Sequence, residues 1–483
     1  MMDLETLEPI LPQLILMIAA LVVPAVGMWK GKAAAWFSLI IVIGAMAVTG
    51  YMMYDGYVGS FLDMYTFNEF TGLMTMVFLI VLLLVTIISF TGSETIKRRG
   101  EYFALLMGAT VGMMFVAGST NLIMMFIGIE LTSISSYALV AFRKNDPKSA
   151  EAAVKYLIIG GLSTAMSLYG ISLLYGLAGS VELNAVAEYL ASGSFSWAYI
   201  VAVITIIAGF GFKVAIVPFH FWAPDVYEGA STPVTTFLAV GSKKMGFIVF
   251  FKIFLLMFIF AEILGNSLPE MQWIFAILAA VTMTVGNIIA ISQNNIKRML
   301  AYSSIAQAGY ILIVLAVGTP YALEGGLFHM ITHVFMKGGA FIVVAALCAR
   351  GLGENISDYK GLAKRAPLVA FAMMIFLFSL AGIPPLAGFS SKFVLFSSAV
   401  TDDGMWIWLV AVAVINSAIS LYYYARVVKA MYVDKGAASD RVRIPISFAV
   451  AMAICAIATV AIGLYPVPIL ELCESAVKAF PFI

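Results

Sequence analysis

GFGFKVAIVPF, residues 209–219, and LAGIPPLAGFSSKF, residues 380–393, each set glycine and proline beside a lysine inside a long apolar run. Proline removes a backbone donor and opens the helical hydrogen-bond ladder. A lysine at the centre of a bilayer costs at least about 2.5–3.5 kcal/mol. Both features are tolerated at membrane depth where a broken helix lines a wet cavity enclosed by protein. The two stretches therefore predict two membrane-spanning helices broken at mid-membrane, each presenting a lysine to the protein interior.

Working outward, the rest of the chain agrees. Of its 483 residues, 63% are hydrophobic and 11% charged, against about 45–50% and about 25% in soluble proteins. Fourteen apolar segments follow one another: 10–29, 34–53, 70–90, 102–118, 121–142, 152–177, 198–220, 232–258, 271–292, 299–318, 322–349, 367–399, 405–432 and 446–465. In hydrocarbon only a helix satisfies its own backbone, so the fold class is an all-α polytopic membrane protein of about fourteen transmembrane helices. The broken stretches fall in helices 7 and 12. No polar stretch is long enough for a separate nucleotide-binding or DNA-reading domain, and 27 basic against 26 acidic residues argue against nucleic acid as a partner. Cys348, Cys455 and Cys473 are far apart, which excludes an iron–sulfur cluster or zinc ribbon on ligand count. The start, MMDLETLE, is acidic where a secretory signal is basic, so the first apolar segment reads as a retained span.

Loops after odd-numbered helices carry the bases: Lys30 and Lys32; Lys97, Arg98 and Arg99; Arg143, Lys144 and Lys148; Lys297 and Arg298; Arg350, Lys360, Lys364 and Arg365; Lys435, Arg441 and Arg443. Loops after even-numbered helices carry acids instead, among them Asp55, Asp63, Glu182, Glu188, Glu270, Asp402 and Asp403. The positive-inside rule then places the odd loops in the cytoplasm and both termini outside the cell membrane. One odd loop, residues 221–230 (FWAPDVYEGA), has no base.

An internal repeat underlies this pattern. A shift of 173 residues places Ser119 on Ser292, Asn121 on Asn294, Tyr137 on Tyr310, Pro147 on Pro320 and Glu151 on Glu324. A five-helix period forces the two copies into opposite orientation, the inverted plan of secondary transporters. The expected organisation is one membrane domain, 1–483. Helices 1–3 occupy 1–100, two inverted five-helix repeats occupy 101–260 and 271–433, and helix 14 with a tail occupies 434–483.

The charges inside the spans point to chemistry. Glu130 is the one acid in the middle of a span, while Lys213, Lys243, Lys244, Lys337 and Lys392 are basic. Lys155 and Lys252 lie nearer helix ends, where a long side chain reaches the interface. One carboxylate cannot neutralise four or five lysines, so static ion pairing does not account for them. Desolvation favours a neutral amine and a nearby carboxylate favours the ammonium, so a lysine near one acid is switched by small movements. That behaviour suits a water-linked proton relay. Lysine serves it better than arginine, which does not release its proton. His329, His333 and Lys337 recur every fourth residue and share one helix face. Two histidines so spaced also admit a metal or haem, but no acidic third ligand is near, and the polar relay is the favoured reading. His220, in VPFHFWAPD, suits a structural, gating or relay role.

These residues resemble a known family. FKVAIVPFHFWAPDVYEGASTPVTTFLAVGSKKMGF (Phe212–Phe247), FIGIELTSISSYAL and SLAGIPPLAGFSSKF are similar to the antiporter-like subunits of respiratory complex I, the N-type most of all. The resemblance implies a fourteen-helix proton channel in which Glu130 pairs with Lys213, Lys243 is the central lysine and Lys392 the terminal one, with Lys244 an addition. It implies no cofactor in this chain, flavin and iron–sulfur clusters in partner chains, and neighbours that are other membrane subunits. The chain also stops soon after helix 14, where the L-type carries a long extension. HMITHVFMK in helix 11 is closer to the L- and M-type pattern, and GAS at Gly229–Ser231 stands where GAP is usual. Both departures point toward an archaeal relative of a coenzyme F420-dependent complex or a divergent bacterial one. Two other readings remain: a subunit of a cation/proton antiporter, and a quinone- or haem-binding redox subunit.

Overall fold

The computed structural model describes residues 4–29, 31–92, 98–192, 196–400, 404–436 and 440–480; Lys30, Lys97, Asp402, Asp403 and the first three residues lie outside them. Thirteen of the described helices are long and apolar enough to cross a membrane. They are α1 (Thr6–Trp29), α2 (Gly31–Tyr54), α3 (Glu69–Thr91), α4 (Arg99–Gly118), α5 (Leu122–Val140), α6 (Pro147–Ala178), α7 (Trp197–Val214), α8 (Thr232–Ile263), α9 (Pro269–Ser292), α10 (Ile296–Val317), α11 (Pro320–Cys348), α13 (Ile407–Tyr432) and α14 (Ile446–Leu464). The remaining span, α12, is two half-helices, Pro367–Ala381 and Ala387–Ser398. The expected fourteen are thus present, and α10 and α11 are the most enclosed by protein of all.

Both broken helices end in the same way. The last turn of α7 is capped by Ala215 at φ 57, and the first half of α12 by Gly382 at φ 89. In each, proline follows three residues after the left-handed residue, at Pro218 and Pro385, before helix resumes at Trp222 and Ala387. Left-handed backbone is free for Gly382 but costs an alanine about 1–2 kcal/mol. The carbonyls freed at each break find donors. Trp222 Nε1 donates to Phe212 O at 2.8 Å, and Lys392 Nζ donates to Leu380 O at 2.8 Å and Ala381 O at 3.3 Å. Helix 7 of the sequence reading therefore stops at Val214 rather than at 220, and its lysine precedes the break while that of α12 follows it.

The α12 break depends on close backbone approach. A β-carbon on Gly388 would sit 1.7 Å from Ser379 O, and one on Gly463 of α14 would sit 2.2 Å from Pro385 O. Gly388→Val should lower stability by ~3 kcal/mol or more, at the upper end of overpacking costs. A thermal melt of the solubilised protein checks this; an unchanged melting temperature would mean that the break relaxes freely.

α8 carries two π turns, Leu238–Ser242 directly before Lys243 and Phe251–Leu255 around Lys252. Such turns cluster at functional positions because each rotates the side chains beyond it off the regular 3.6-residue face. Smaller elements close the two ends. At one end, a hairpin of β1 (Gly59–Phe61) and β2 (Tyr65–Phe67) bridges from Tyr65 to Ser119, and Asn121 bridges to Glu182 ahead of the short helix Leu183–Ala191. The C-terminal helix Val467–Lys478 returns to the same hairpin region through Asn68 Nδ2, 2.6 Å from Ala479 O, and Phe480 against Phe70. At the other end lies the short helix Trp222–Gly229.

That helix explains the loop without a base. Asp225 binds Lys155 and Arg298, each at 2.7 Å, and Glu228 binds Arg298 at 3.1 Å and Lys148 at 3.4 Å. Burial opposes the charged Asp225, but hydrogen bonds from Lys155 and Arg298 outweigh it and hold its carboxyl below the usual carboxylate range. The acids of loop 221–230 thus sit among the bases of the neighbouring loops of the same side.

Candidate functional site

Most of the charged residues buried at mid-span gather in one row. Lys213, Lys243, Lys244, Lys337, Lys392, His329, His333 and His220 are each at most 4% exposed. None points outward to lipid.

At one end, Glu130 of α5 is half-buried and its Oε1 accepts from Thr164 Oγ1 at 2.8 Å. Lys213 Nζ donates to Ser133 Oγ at 2.8 Å, one turn along α5 from Glu130. No ion pair joins Glu130 to Lys213. Instead Glu130, Ser133, Thr164 and Lys213 line one cavity of about 10 Å³, the room of about one water. The two residues that the family resemblance pairs therefore share one small cavity.

In the middle, Lys243 Nζ donates to Ser304 Oγ at 3.2 Å and lies 5.7 Å from the centre of the Tyr227 ring. The adjacent Ser303 accepts from Lys337 Nζ at 2.6 Å and bonds the Tyr424 hydroxyl. Lys244 Nζ contacts His333 Nδ1 at 2.9 Å. His329 uses both ring nitrogens, one with Ser391 Oγ at 3.0 Å and one with Gln307 Oε1 at 2.9 Å. Both ring nitrogens of His329 are thus engaged in hydrogen bonds, and His333 bonds through Nδ1. Among the described residues no group of three or more His, Cys, Asp or Glu could hold a metal ion.

Gln307 continues the row by donating to Leu380 O at 3.2 Å, the carbonyl that also receives Lys392. Lys392 adds Ser417 Oγ at 2.9 Å and lies 4.9 Å from the Tyr310 ring centre. An apolar groove of about 620 Å³, walled by Phe389, Phe393, Val410, Val414 and Leu421, reaches this lysine from the membrane-facing side.

The two halves echo each other at the 173-residue shift. Glu130 with Thr164 in the first half corresponds to Ser303 with Lys337 in the second, and both pairs are hydrogen-bonded. The joints of the row hold unpaired polar atoms. Tyr156 OH, Tyr227 OH, Ser242 Oγ, His220 Nδ1 and His333 Nε2 are buried without a protein partner. Tyr156 stands directly under the Lys213 ammonium, 5.7 Å from its ring centre.

Serines 133, 303, 304, 391 and 417, Gln307 and Tyr424 were not singled out by sequence, although they carry most of the links. Lys252 is a correction. It does not reach the interface but is 1% exposed, with Nζ 2.7 Å from Ser119 O. Lys155 does reach an aqueous edge, in the ion cluster with Glu151 and Asp225.

Fold and site together define a multi-pass membrane protein of the ion-translocating class, with a buried row of titratable groups. Residues 119–420 match the family model described as "NADH:quinone oxidoreductase/Mrp antiporter, TM". The chain is 41% identical over 463 residues to F420H2 dehydrogenase subunit N of Methanosarcina mazei, covering 94% of this chain and 92% of the relative. It is 39% identical over 461 residues to NADH-quinone oxidoreductase subunit N of Desulfitobacterium hafniense, covering 92% and 91%. The chain belongs to this family of antiporter-like membrane subunits. A chain of respiratory complex I from Thermus thermophilus superposes with a TM-score of 0.80 at 29% identity, covering 96% of this chain and 100% of that one. A chain of the Mrp complex from a Dietzia species shares the fold, with a TM-score of 0.87 at 23% identity and coverage of 99% and 97%.

Proposed function

We propose that this chain is a proton-translocating membrane subunit of a complex I-like, redox-driven pump. Protons move along the row from Glu130 and Lys213 through Lys243, Lys337 and the His329–Gln307 link to Lys392, with His333, Lys244 and His220 at its branches. The observation that carries the reading is the partner set. Each buried lysine of the row meets a hydroxyl, an imidazole or a carbonyl, groups that hold an ammonium or a neutral amine alike. Fixed ion pairs would trap the charge; these partners let it move.

Residues 101–260 and 271–433 act as two inverted repeats, a division supported by the matched breaks of α7 and α12 and the matched pairs Glu130–Thr164 and Ser303–Lys337. Electrons pass through flavin and iron–sulfur clusters of partner chains to a quinone-type acceptor, and this chain contributes no redox centre. It lies in the cytoplasmic membrane with both termini outside, bounded by lipid and by other membrane subunits. The groove beside Lys392 and the half-buried position of Glu130 support a reading in which neighbouring subunits act on both ends of the row.

A chain without its own energy source leaks but does not pump. The purified chain in liposomes should show only slow passive proton flux, while vesicles holding the assembled complex should build a proton gradient when NADH or reduced coenzyme F420 is added. Robust sodium-for-proton exchange by the isolated chain would overturn this and establish the antiporter reading.

A further inference from the structure

Two buried lysines lie outside the row, Lys297, which pairs with Glu354 at 2.6 Å, and Lys252. Lys252 sits in the second π turn of α8, nine residues beyond Lys243. Its ammonium donates to Ser119 O at 2.7 Å, where α4 ends, and lies 5.9 Å from the Phe70 ring centre. A helix C-terminus and an aromatic face both favour a cation, but no carboxylate pairs with it among the described residues. An ammonium has three donors, and the protein engages one of them.

The surroundings are polar and incompletely satisfied. Ser119 bridges to Tyr65 of β2. The Tyr65 hydroxyl accepts from Gln13 Nε2 at 2.5 Å and faces Thr75. Gln13 Oε1 and Thr75 Oγ1 are buried without a partner. Most buried polar atoms are paired with protein or with water, and these lie beneath the hairpin end of the bundle, the end to which Ser119 O ties the Lys252 ammonium. This is the end opposite the Asp225 ion cluster, which the distribution of loop bases assigns to the cytoplasm.

We propose that Lys252 is a proton-release group on a branch that leaves the row at Lys243, standing between the central lysines and the outer surface, with Tyr65, Gln13 and Thr75 holding the water beyond it. The inference rests on the reading of the row as a proton path. The neutral amine of Lys252 takes a proton from the Lys243 side through water and becomes an ammonium held by Ser119 O. It then gives that proton to water on the Tyr65 side and returns to the amine, so each cycle moves one proton and breaks no other bond. The competing role is a clamp that ties α8 to the end of α4.

The test uses the assembled complex in membrane vesicles, with NADH and reduced coenzyme F420 offered in parallel, and reads protons moved per electron pair. Lys252→Gln keeps a donor for Ser119 O, and Lys252→Arg keeps the cation but cannot release its proton. Both should assemble and lose as much proton yield as Lys243→Gln measured beside them. Full pumping by Lys252→Arg would reduce Lys252 to a clamp. Full pumping by both Lys252 variants, with Lys243→Gln impaired, would overturn the release role and leave the row standing. Undiminished pumping by all three would overturn the row itself. Should the Lys252 variants fail to assemble, Thr75→Val decides. It leaves the clamp intact, and its expected loss of proton yield supports release, whereas wild-type yield overturns it.

Discussion

Lys243→Met should stop proton movement through this subunit while leaving the fold and the assembly in place. Methionine matches the lysine stem in length and packs readily in an apolar interior, so the helix contacts of α8 survive. What disappears is the one titratable group linking the α7 side of the row to Ser304 and, through the adjacent Ser303, to Lys337 and Tyr424. A positioned proton-transfer group is worth about 10²–10⁴-fold in rate. Transit through this chain should therefore fall at least about a hundredfold. The measurement is vesicle acidification per electron pair, with donor oxidation in the presence of an uncoupler as the control for intact electron transfer. Lys244→Met should do less, because Lys244 lies on a branch that leads to His333. Equal pumping by wild type and Lys243→Met would break the row at its centre and remove the proposed path.

How much of this was legible in the sequence follows from what each feature depends on. Spans depend on a sustained apolar run, a one-dimensional property, and each run holds a span, although helix 7 ends at Val214 and helix 12 is split in two. Breaks depend on proline and glycine, and both were read from the two stretches that hold Pro218 and Pro384–Pro385. The buried row was legible because a charge in an apolar run is costly wherever it faces. Its wiring was not. A serine or threonine in a membrane helix commonly bonds its own turn, as Ser133 Oγ does to Ile129 O at 2.7 Å, so nothing in sequence separates Ser133, Ser303 or Ser304 from the other serines. Lys252 was misplaced for a related reason. Distance from the helix end suggests a shallow lysine, whereas a π turn and the cap formed by Ser119 decide where its ammonium goes. Loop 221–230 is the reverse case. Its missing base is an anomaly in one dimension and becomes intelligible only when Asp225 and Glu228 are seen between Lys155, Lys148 and Arg298.

Glu130→Gln should abolish the coupling of this subunit to its neighbours with little effect on assembly. The amide keeps the shape of the carboxylate and still accepts from Thr164, 2.8 Å away, so packing of α5 on α6 is preserved. It cannot carry charge. Lys213 then loses the one carboxylate that shares its cavity, the space of about one water lined also by Ser133. Two unit charges about 6 Å apart in a medium of effective dielectric near 20 interact by about 3 kcal/mol. That is about a hundredfold bias on where a proton or a lysine side chain resides, and it is the lever a neighbouring subunit would pull. Glu130→Asp, which keeps the charge on a shorter stem, should retain part of the activity, whereas Glu130→Gln should match Lys213→Met in protons moved per electron pair. The half-buried position of Glu130 at the membrane-facing wall makes the same lever accessible to charge in an adjacent subunit, which a deeper acid would not be. Normal proton yield in Glu130→Gln would show that Lys213 is driven through Ser133 and water alone, and the switch would have to be placed further along the row.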